Sequence, residues 1–217
     1  MESKYNFKEL MKERHSATIF QSKKIPEEVL KDIISISLHA PSWCNSQPWT
    51  IYVATGNTLE EIRKEWIAKH KENIKGYSDI PPGHRTDFSE RSQGSMAKFY
   101  KVWEDLPQIN VKEDPNSYIF NAQAMVYLTL NKGHKEYSVL DLGGIEMSIM
   151  LAAKDHGVDS IPAYTTIKYP DVLRKHMKIS DREDIVIGVA LGYEEKCQFN
   201  DYRAEKLTLE EACHFFN

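Results

Sequence analysis

Residues 40–54 read Ala40-Pro41-Ser42-Trp43-Cys44-Asn45-Ser46-Gln47-Pro48-Trp49-Thr50-Ile51-Tyr52-Val53-Ala54, and three kinds of structure follow one another within them. Pro41 stops the helix before it, because a ring nitrogen without a proton cannot continue the ladder. Ser42 to Gln47 is polar and turn-forming. Trp49 to Ala54 is rich in aromatic and β-branched residues, the composition of a strand. Upstream, Ile25-Pro26-Glu27-Glu28 opens the helix that Pro41 closes. Proline is tolerated at the first helical position, and the two acids face the positive end of the dipole. Val29, Ile33, Ile36 and Ser37 then form a stripe at helical spacing to about His39. Downstream, Thr58 with Glu61 carries a capping-box signature for a helix through Lys71.

The same reading extends outward. A first helix is expected over Asn6–Arg14, followed by an extended piece at Thr18–Phe20. A helix is expected over Ser92–Leu106, a strand over Ala124–Leu130 and a helix over Val139–His156 that is apolar around most of its circumference and stops at Gly157. Ser160–Thr165 reads as a short strand or extended loop, and Pro170–Met177 as a helix. Ile185–Leu191 is a continuous apolar run, as expected of an inner strand. Long helices between strands predict an α+β (mixed α/β) fold in three layers. With no repeat, low-complexity tract or Gly/Ser linker, residues 1–217 read as one domain.

The chain has 217 residues, 41% hydrophobic and 28% charged, which is an ordinary globular composition. Its net charge is 28 − 32 = −4, which argues against a protein that grips nucleic acid. No apolar stretch approaches a membrane span, the first residues hold no signal core, and the three cysteines show no paired spacing, so a reducing cytoplasmic setting is expected. The sequence lacks G-x-G-x-x-G, the P-loop, G-x-S-x-G and any close metal-ligand spacing, so no metal site is expected.

Two clusters carry chemistry. Arg14-His15-Ser16-Ala17-Thr18 offers a guanidinium, an imidazole and two hydroxyls, which can hold a phosphate or the polar edge of a heterocycle. The alternative is that Arg14 caps the helix and Ser16 the turn. The segment Pro41–Gln47 sets amides and hydroxyls beside Trp43, either as walls and donors for an aromatic ligand or as a rigid turn bonding its own backbone. Cys44 reads as a small thiol in that turn.

Together, Arg-His-Ser-x-x-x-Phe at 14–20 and Ala-Pro-Ser-x-x-Asn-Ser-Gln-Pro-Trp at 40–49 resemble the nitroreductase family of FMN-dependent oxidoreductases. The resemblance continues in Asp141-Leu142-Gly143-Gly144, in Gly157–Thr165, in Ile187–Tyr193 and in Asn200-Asp201-Tyr202-Arg203. It implies a central mixed, mainly antiparallel sheet flanked by helices, and an intertwined homodimer with flavins at its interface. It further implies FMN as cofactor and NAD(P)H as donor. Hydride would pass through flavin N5 to nitroaromatic or quinone-like acceptors by a ping-pong route, with no catalytic side chain required.

By the same resemblance, Arg14, His15 and Ser16 lie along the FMN phosphate, ribityl chain and pyrimidine edge, and Arg203 is the second phosphate arginine. Pro41, Ser42, Trp43, Asn45 and Gln47 approach the flavin, several of them from the partner subunit. Pro162, Ala163, Tyr164 and Thr165 run beside the isoalloxazine. Thr18 stands where many relatives carry Arg or Lys, which predicts a replacement cation or a lower flavin potential. Asp201 stands where some have Lys. Residues 76–117 read either as a substrate-covering excursion, with aromatic surface from Phe88, Phe99, Tyr100 and Trp103, and from Tyr118 and Phe120 just beyond, or as a helical layer that packs these aromatics on the core. The alternatives are a flavin-binding regulatory or storage protein, a dehalogenating or flavin-cleaving relative, and, more remotely, a flavin-free hydrolase.

Overall fold

Strand β2 (Ala124–Asn131) is buried from Ala124 to Leu130, a run that only an inner strand covered on both faces can hold. It pairs antiparallel with β1 (Trp49–Thr55) on one side and β4 (Glu183–Gly192) on the other. The short edge strand β3 (Asp159–Pro162) pairs antiparallel with β4, giving the order β1-β2-β4-β3. The expected mixed sheet is therefore antiparallel in all its strand pairs. Among the described residues, parallel pairing is confined to one bridge, Ser16 to Ser160. The computed structural model describes residues 6–105 and 114–217, with backbone only at 102, 103 and 105.

Alternation along β2 separates two cores. Met125 and Tyr127 face α3 (Gly56–Lys71) and α6 (Pro170–Met177), meeting Leu59, Ile62, Trp66, Val172 and Leu173. Val126, Leu128 and Leu130 face α2 (Glu27–Ser37) and α5 (Glu136–Asp155), meeting Leu30, Ile33, Leu142, Ile145 and Ile149. This is the expected three-layer α+β architecture, and each fully buried aliphatic side chain contributes about 1.5–3 kcal/mol to it. In β4 the alternation slips once. Leu128 pairs with Ile187 and Thr129 with Ile185, so Val186 is an extra residue. Val186 and Ile187 consequently pack on the same core while Ile185 faces the other.

The remaining α-helices among the described residues are α1 (Phe7–Glu13), α4 (Glu90–Asp105), α7 (Gln198–Asp201) and α8 (Leu209–Ala212). Asn6 and Glu9 close a capping box on α1, and Thr208 and Glu211 close another on α8. The box expected at Thr58 and Glu61 does not form. Gly56, at φ +50°, turns β1 straight into α3, so Thr58 falls inside the first helical turn. Where a short strand or extended loop is expected over Ser160–Thr165, the short strand β3 ends at Pro162 and the chain then coils into a 3-10 turn at Tyr164–Ile167. The reach of α4 to Leu106 and the side chain of Trp103 lie outside the described residues.

Helix α5 is less enclosed than its apolar circumference predicts. One face packs on the sheet, but Tyr137, Val139 and Leu140 are exposed, Leu140 at 69%. Both α1, with exposed Phe7 and Met11, and the turn at Trp43–Asn45 pack against this helix. Trp43 itself is exposed and lies 4.7 Å from the Tyr137 ring. Among the described residues, no helix is long and apolar enough to cross a membrane.

Candidate functional site

The bridge between Ser16 and Ser160, with Ala17 N–H donating to Ser160 O at 3.0 Å, lays the segment after α1 along the β3 edge. Beside that edge opens a cavity of about 830 Å³. Arg14, His15, Ser16 and Thr18 form one wall, and Pro162, Ala163, Tyr164 and Thr165 another. Arg203 and Lys206 enter from beyond α7, Lys12 from the last turn of α1, and Phe99 and Tyr100 from α4. Two stretches nearly 190 residues apart in sequence, 14–18 and 203, thus meet at one site, as the resemblance implies.

The electrostatics point to an anion. Among the described residues, the lining contains Lys12, Arg14, Arg203 and Lys206 and no carboxylate. Arg14 Nε is buried with no hydrogen-bond partner among the described residues, and burial pulls the guanidinium below its ordinary pKa. A buried donor on a cation is costly until a ligand oxygen accepts from it. Arg203 donates through one terminal nitrogen to Asn200 O at 2.6 Å and Tyr202 O at 3.1 Å, which fixes the side chain. Phe99, Tyr100, Tyr164 and Phe199 supply flat apolar surface in the same cavity. A phosphate carried on an aromatic system matches both halves of this lining.

His15 has a different part. Its ring bonds Glu194 Oε2 at 2.7 Å through Nε2 and the Glu13 carbonyl at 3.0 Å through Nδ1. Both ring nitrogens thus tie the turn after α1 to the end of β4. Thr18 is buried, and its hydroxyl and amide both donate to Asn200 Oδ1, at 3.2 and 2.7 Å. Asn200 also accepts from Ile19 N–H at 3.3 Å and donates Nδ2–H to Ile19 O at 2.8 Å and Glu195 O at 2.7 Å. It therefore clamps the cavity wall from behind.

Pro41, Ser42, Trp43, Asn45 and Gln47 do not line this cavity; they sit on the other face, against α5. Asp141, near the start of α5, receives Trp43 N–H on both oxygens at 3.1 and 3.0 Å. Ser42 Oγ accepts Gln47 N–H at 2.9 Å, and Cys44, Asn45 and Gln47 all have positive φ, so the turn is both bonded to itself and strained. Of the aromatics expected over the site, Phe99, Tyr100 and Phe120 line it, whereas Phe88 and Tyr118 do not. Helix α4 is tied to the C-terminal segment by Lys98–Glu205 at 3.5 Å and Arg91 to the Glu211 carbonyl at 3.2 Å.

Asn200, Asp141 and Gly188 are positioning residues that sequence reasoning did not single out, although each stands inside a quoted motif. A Cβ on Gly188 would lie 2.4 Å from Thr166 Oγ1. Only glycine there lets the 163–166 turn sit on β4, where Ala163 N–H donates to Gly188 O at 2.6 Å.

A 4-nitrobenzoate reductase from Pseudomonas putida is 25% identical across 97% of this chain and 95% of its own length. The crystal structure of the FMN-dependent nitroreductase NfnB from Mycobacterium smegmatis in complex with NADPH superposes with a TM-score of 0.86 at 21% identity, covering 97% of both chains. An iodotyrosine deiodinase bound to FMN and 3-iodo-L-tyrosine superposes at 0.61 and 18% identity, covering 96% of this chain and 99% of that one. The profile described as the nitroreductase family matches residues 11–193, and the chain belongs to that family.

Proposed function

We propose that the cavity holds FMN and that the protein is an oxidoreductase that takes hydride from NAD(P)H and reduces nitroaromatic or quinone-like acceptors. The observation that carries this is Arg14 Nε, buried and, among the described residues, without a partner in a cavity it shares with Arg203 and no acid. Arg14 and Arg203 hold the phosphate, Ser16 and Thr18 meet the pyrimidine side, and Pro162–Thr165 border the ring. When bound, FMN supplies the hydride-accepting and hydride-returning chemistry, and donor and acceptor use the same space in turn. The residues of this chain bind and orient, and solvent supplies protons. Helix α4 covers the site with Phe99 and Tyr100.

The relatives support this reading by name, as nitroreductases and as structures holding FMN or NADPH. A homodimer belongs to the same proposal. Exposed Phe7, Trp43, Tyr137 and Leu140 form an apolar surface of the kind a second copy covers. Seated there, Pro41–Gln47 would reach the partner's cavity, which they do not reach in their own chain.

The test is FMN titration of the purified protein and of Arg14→Ala and Arg203→Ala. Each removes charge-assisted bonds of about 1.5–3 kcal/mol, so Kd rises about 10- to 150-fold. Wild-type protein should then oxidise NAD(P)H when a nitroaromatic or quinone is added. A colourless protein that refuses FMN refutes the cofactor assignment. A yellow one with no turnover favours the storage role.

A further inference from the structure

Tyr164, on the cavity wall at Pro162–Thr165, is held by a residue that does not itself line the cavity. Its hydroxyl lies 3.0 Å from Ser78 Oγ, and Ser78 Oγ lies 3.0 Å from Ile80 O. A carbonyl can only accept, so the serine proton goes to Ile80 and the phenol donates to the serine. The next two hydroxyls are used in the same way. Thr165 donates to Asn116 Oδ1 at 2.8 Å and Thr166 to Ala163 O at 2.7 Å. Every hydroxyl of the 164–166 turn thus donates to the protein, and what Tyr164 offers a ligand is its ring rather than a proton.

The anchor is itself fixed. Tyr77 N–H donates to Lys168 O at 2.9 Å, and a Cβ on Gly76 would lie 2.8 Å from the Lys168 Cβ. Asp79 Oδ2 accepts from Arg174 at 2.9 Å and from the Ile185 amide at 2.8 Å. Residues 76–80 are therefore stitched to the 164–168 turn and to the start of β4. From them the chain runs on to α4, which brings Phe99 and Tyr100 over the cavity. The Tyr164 ring is in this way fastened to the covering side of the site, whereas the phosphate arginines come from the ends of α1 and α7.

We infer that Ser78 is a positioning residue for the reaction: through the phenol of Tyr164 it holds the ring against which the electron acceptor is seated. The inference rests on the flavin reading above and adds to it the pair of side chains that sets the acceptor's place. A ring already held still can pair with a second ring at little ordering cost, and such pairs need a planar partner.

The test uses two unreactive ligands that differ only in ring saturation, acetophenone and cyclohexyl methyl ketone, on the oxidised holoprotein. Affinity is read by perturbation of the flavin spectrum and by calorimetry. Acetophenone should bind wild-type protein about 3- to 10-fold more tightly. Ser78→Ala should lower that ratio at least about twofold and Tyr164→Phe by a similar factor. The double variant should lose no more than either alone, because both remove one bond. Ser78→Thr keeps the hydroxyl and should restore the ratio. Relative to ferricyanide, an acceptor that need not stack, kcat/KM for nitrobenzene should fall in Ser78→Ala by the same factor as the ratio. NMR relaxation of the Tyr164 ring should show it rigid in wild type and mobile in Ser78→Ala, with or without FMN.

A ratio that Ser78→Ala leaves unmoved, losses that multiply in the double variant, or a ring equally rigid without the serine overturns the proposal. So does a Ser78→Ala protein that loses FMN or shifts the flavin midpoint potential, because the ring then serves the cofactor. A wild-type protein that refuses FMN, or that holds it and reduces neither ferricyanide nor nitrobenzene, refutes the flavin reading and the acceptor role with it. One that reduces both while the ratio ignores Ser78 refutes the positioning role alone.

Discussion

Replacing Asn200 by Ala removes the clamp behind the cavity wall, and its cost can be worked bond by bond. The side chain is 2% exposed and joins Thr18, Ile19 and Glu195. Ile19 O keeps a second donor in Glu195 N–H at 2.9 Å, so it is not orphaned. Thr18 N–H and Glu195 O lose their side-chain partner, and so, at longer distances, do the Thr18 hydroxyl and Ile19 N–H. Each buried orphan costs about 1–3 kcal/mol, which places Asn200→Ala at about 3 kcal/mol or somewhat above. For a chain of this length that is a drop of about 6–12 °C in thermal midpoint. Asn200→Asp sharpens the test. It keeps volume and an acceptor for Thr18, but presents a carboxylate oxygen to the carbonyls of Ile19 and Glu195, so it should be no more stable than Ala. The shift should appear in FMN-free and FMN-saturated protein alike, with FMN affinity falling as Thr18 loosens. A midpoint for Asn200→Ala within about 2 °C of wild type, or an Asp variant as stable as wild type, refutes the clamp.

Gly188→Ala drives a methyl against Thr166 and should cost about 1–3 kcal/mol in urea unfolding while weakening FMN binding, since the 163–166 turn must move. Asp141→Ala frees the Trp43 amide on an exposed surface. Stability should change by less than about 1 kcal/mol, while hydrogen exchange at that amide speeds up about tenfold. His156 is pulled down by desolvation, its largest influence, but the Ala152 carbonyl, Asp32 and Asp155 together hold its pKa above the ordinary value. The protonated ring is therefore the stabilising form. Its contribution is full below about pH 6.5 and is lost as pH rises through the raised value. The stability gap between wild type and His156→Gln should accordingly be widest near about pH 6 and narrow toward pH 9, and a gap that grows with pH contradicts this.

The strands and most helices were legible because their signals are local. The apolar run at Ile185–Leu191 and the proline opening Pro170–Met177 need no knowledge of the rest of the chain. Thr58 misled because a capping box is also local, and it competes with a direct strand-to-helix turn that Gly56 permits only once β1 is fixed by its partners. At the site, Arg14 through Thr18 stood out as a cluster. Arg203, by contrast, became visible only through resemblance, since a lone arginine announces nothing until the fold returns it to the start of the chain. Asn200 was hidden for the same reason. Its five hydrogen bonds include three to backbone about 180 residues away, and an asparagine beside a turn looks the same whether it faces water or holds a wall.

Val186 gives β4 a change of phase partway along its length. Residues before it and after it address opposite layers at the same parity, and Gly188, whose missing side chain seats the 163–166 turn, keeps its orientation only because the extra residue precedes it. Deleting that one codon would leave the composition of the strand almost untouched. It would nevertheless invert either its first half or its second, turning aliphatic side chains away from α5 or bringing a methyl-bearing neighbour to the glycine's seat. The cavity wall is thus counted out in residues from a bulge on the far side of the sheet, and length there is under tighter constraint than identity.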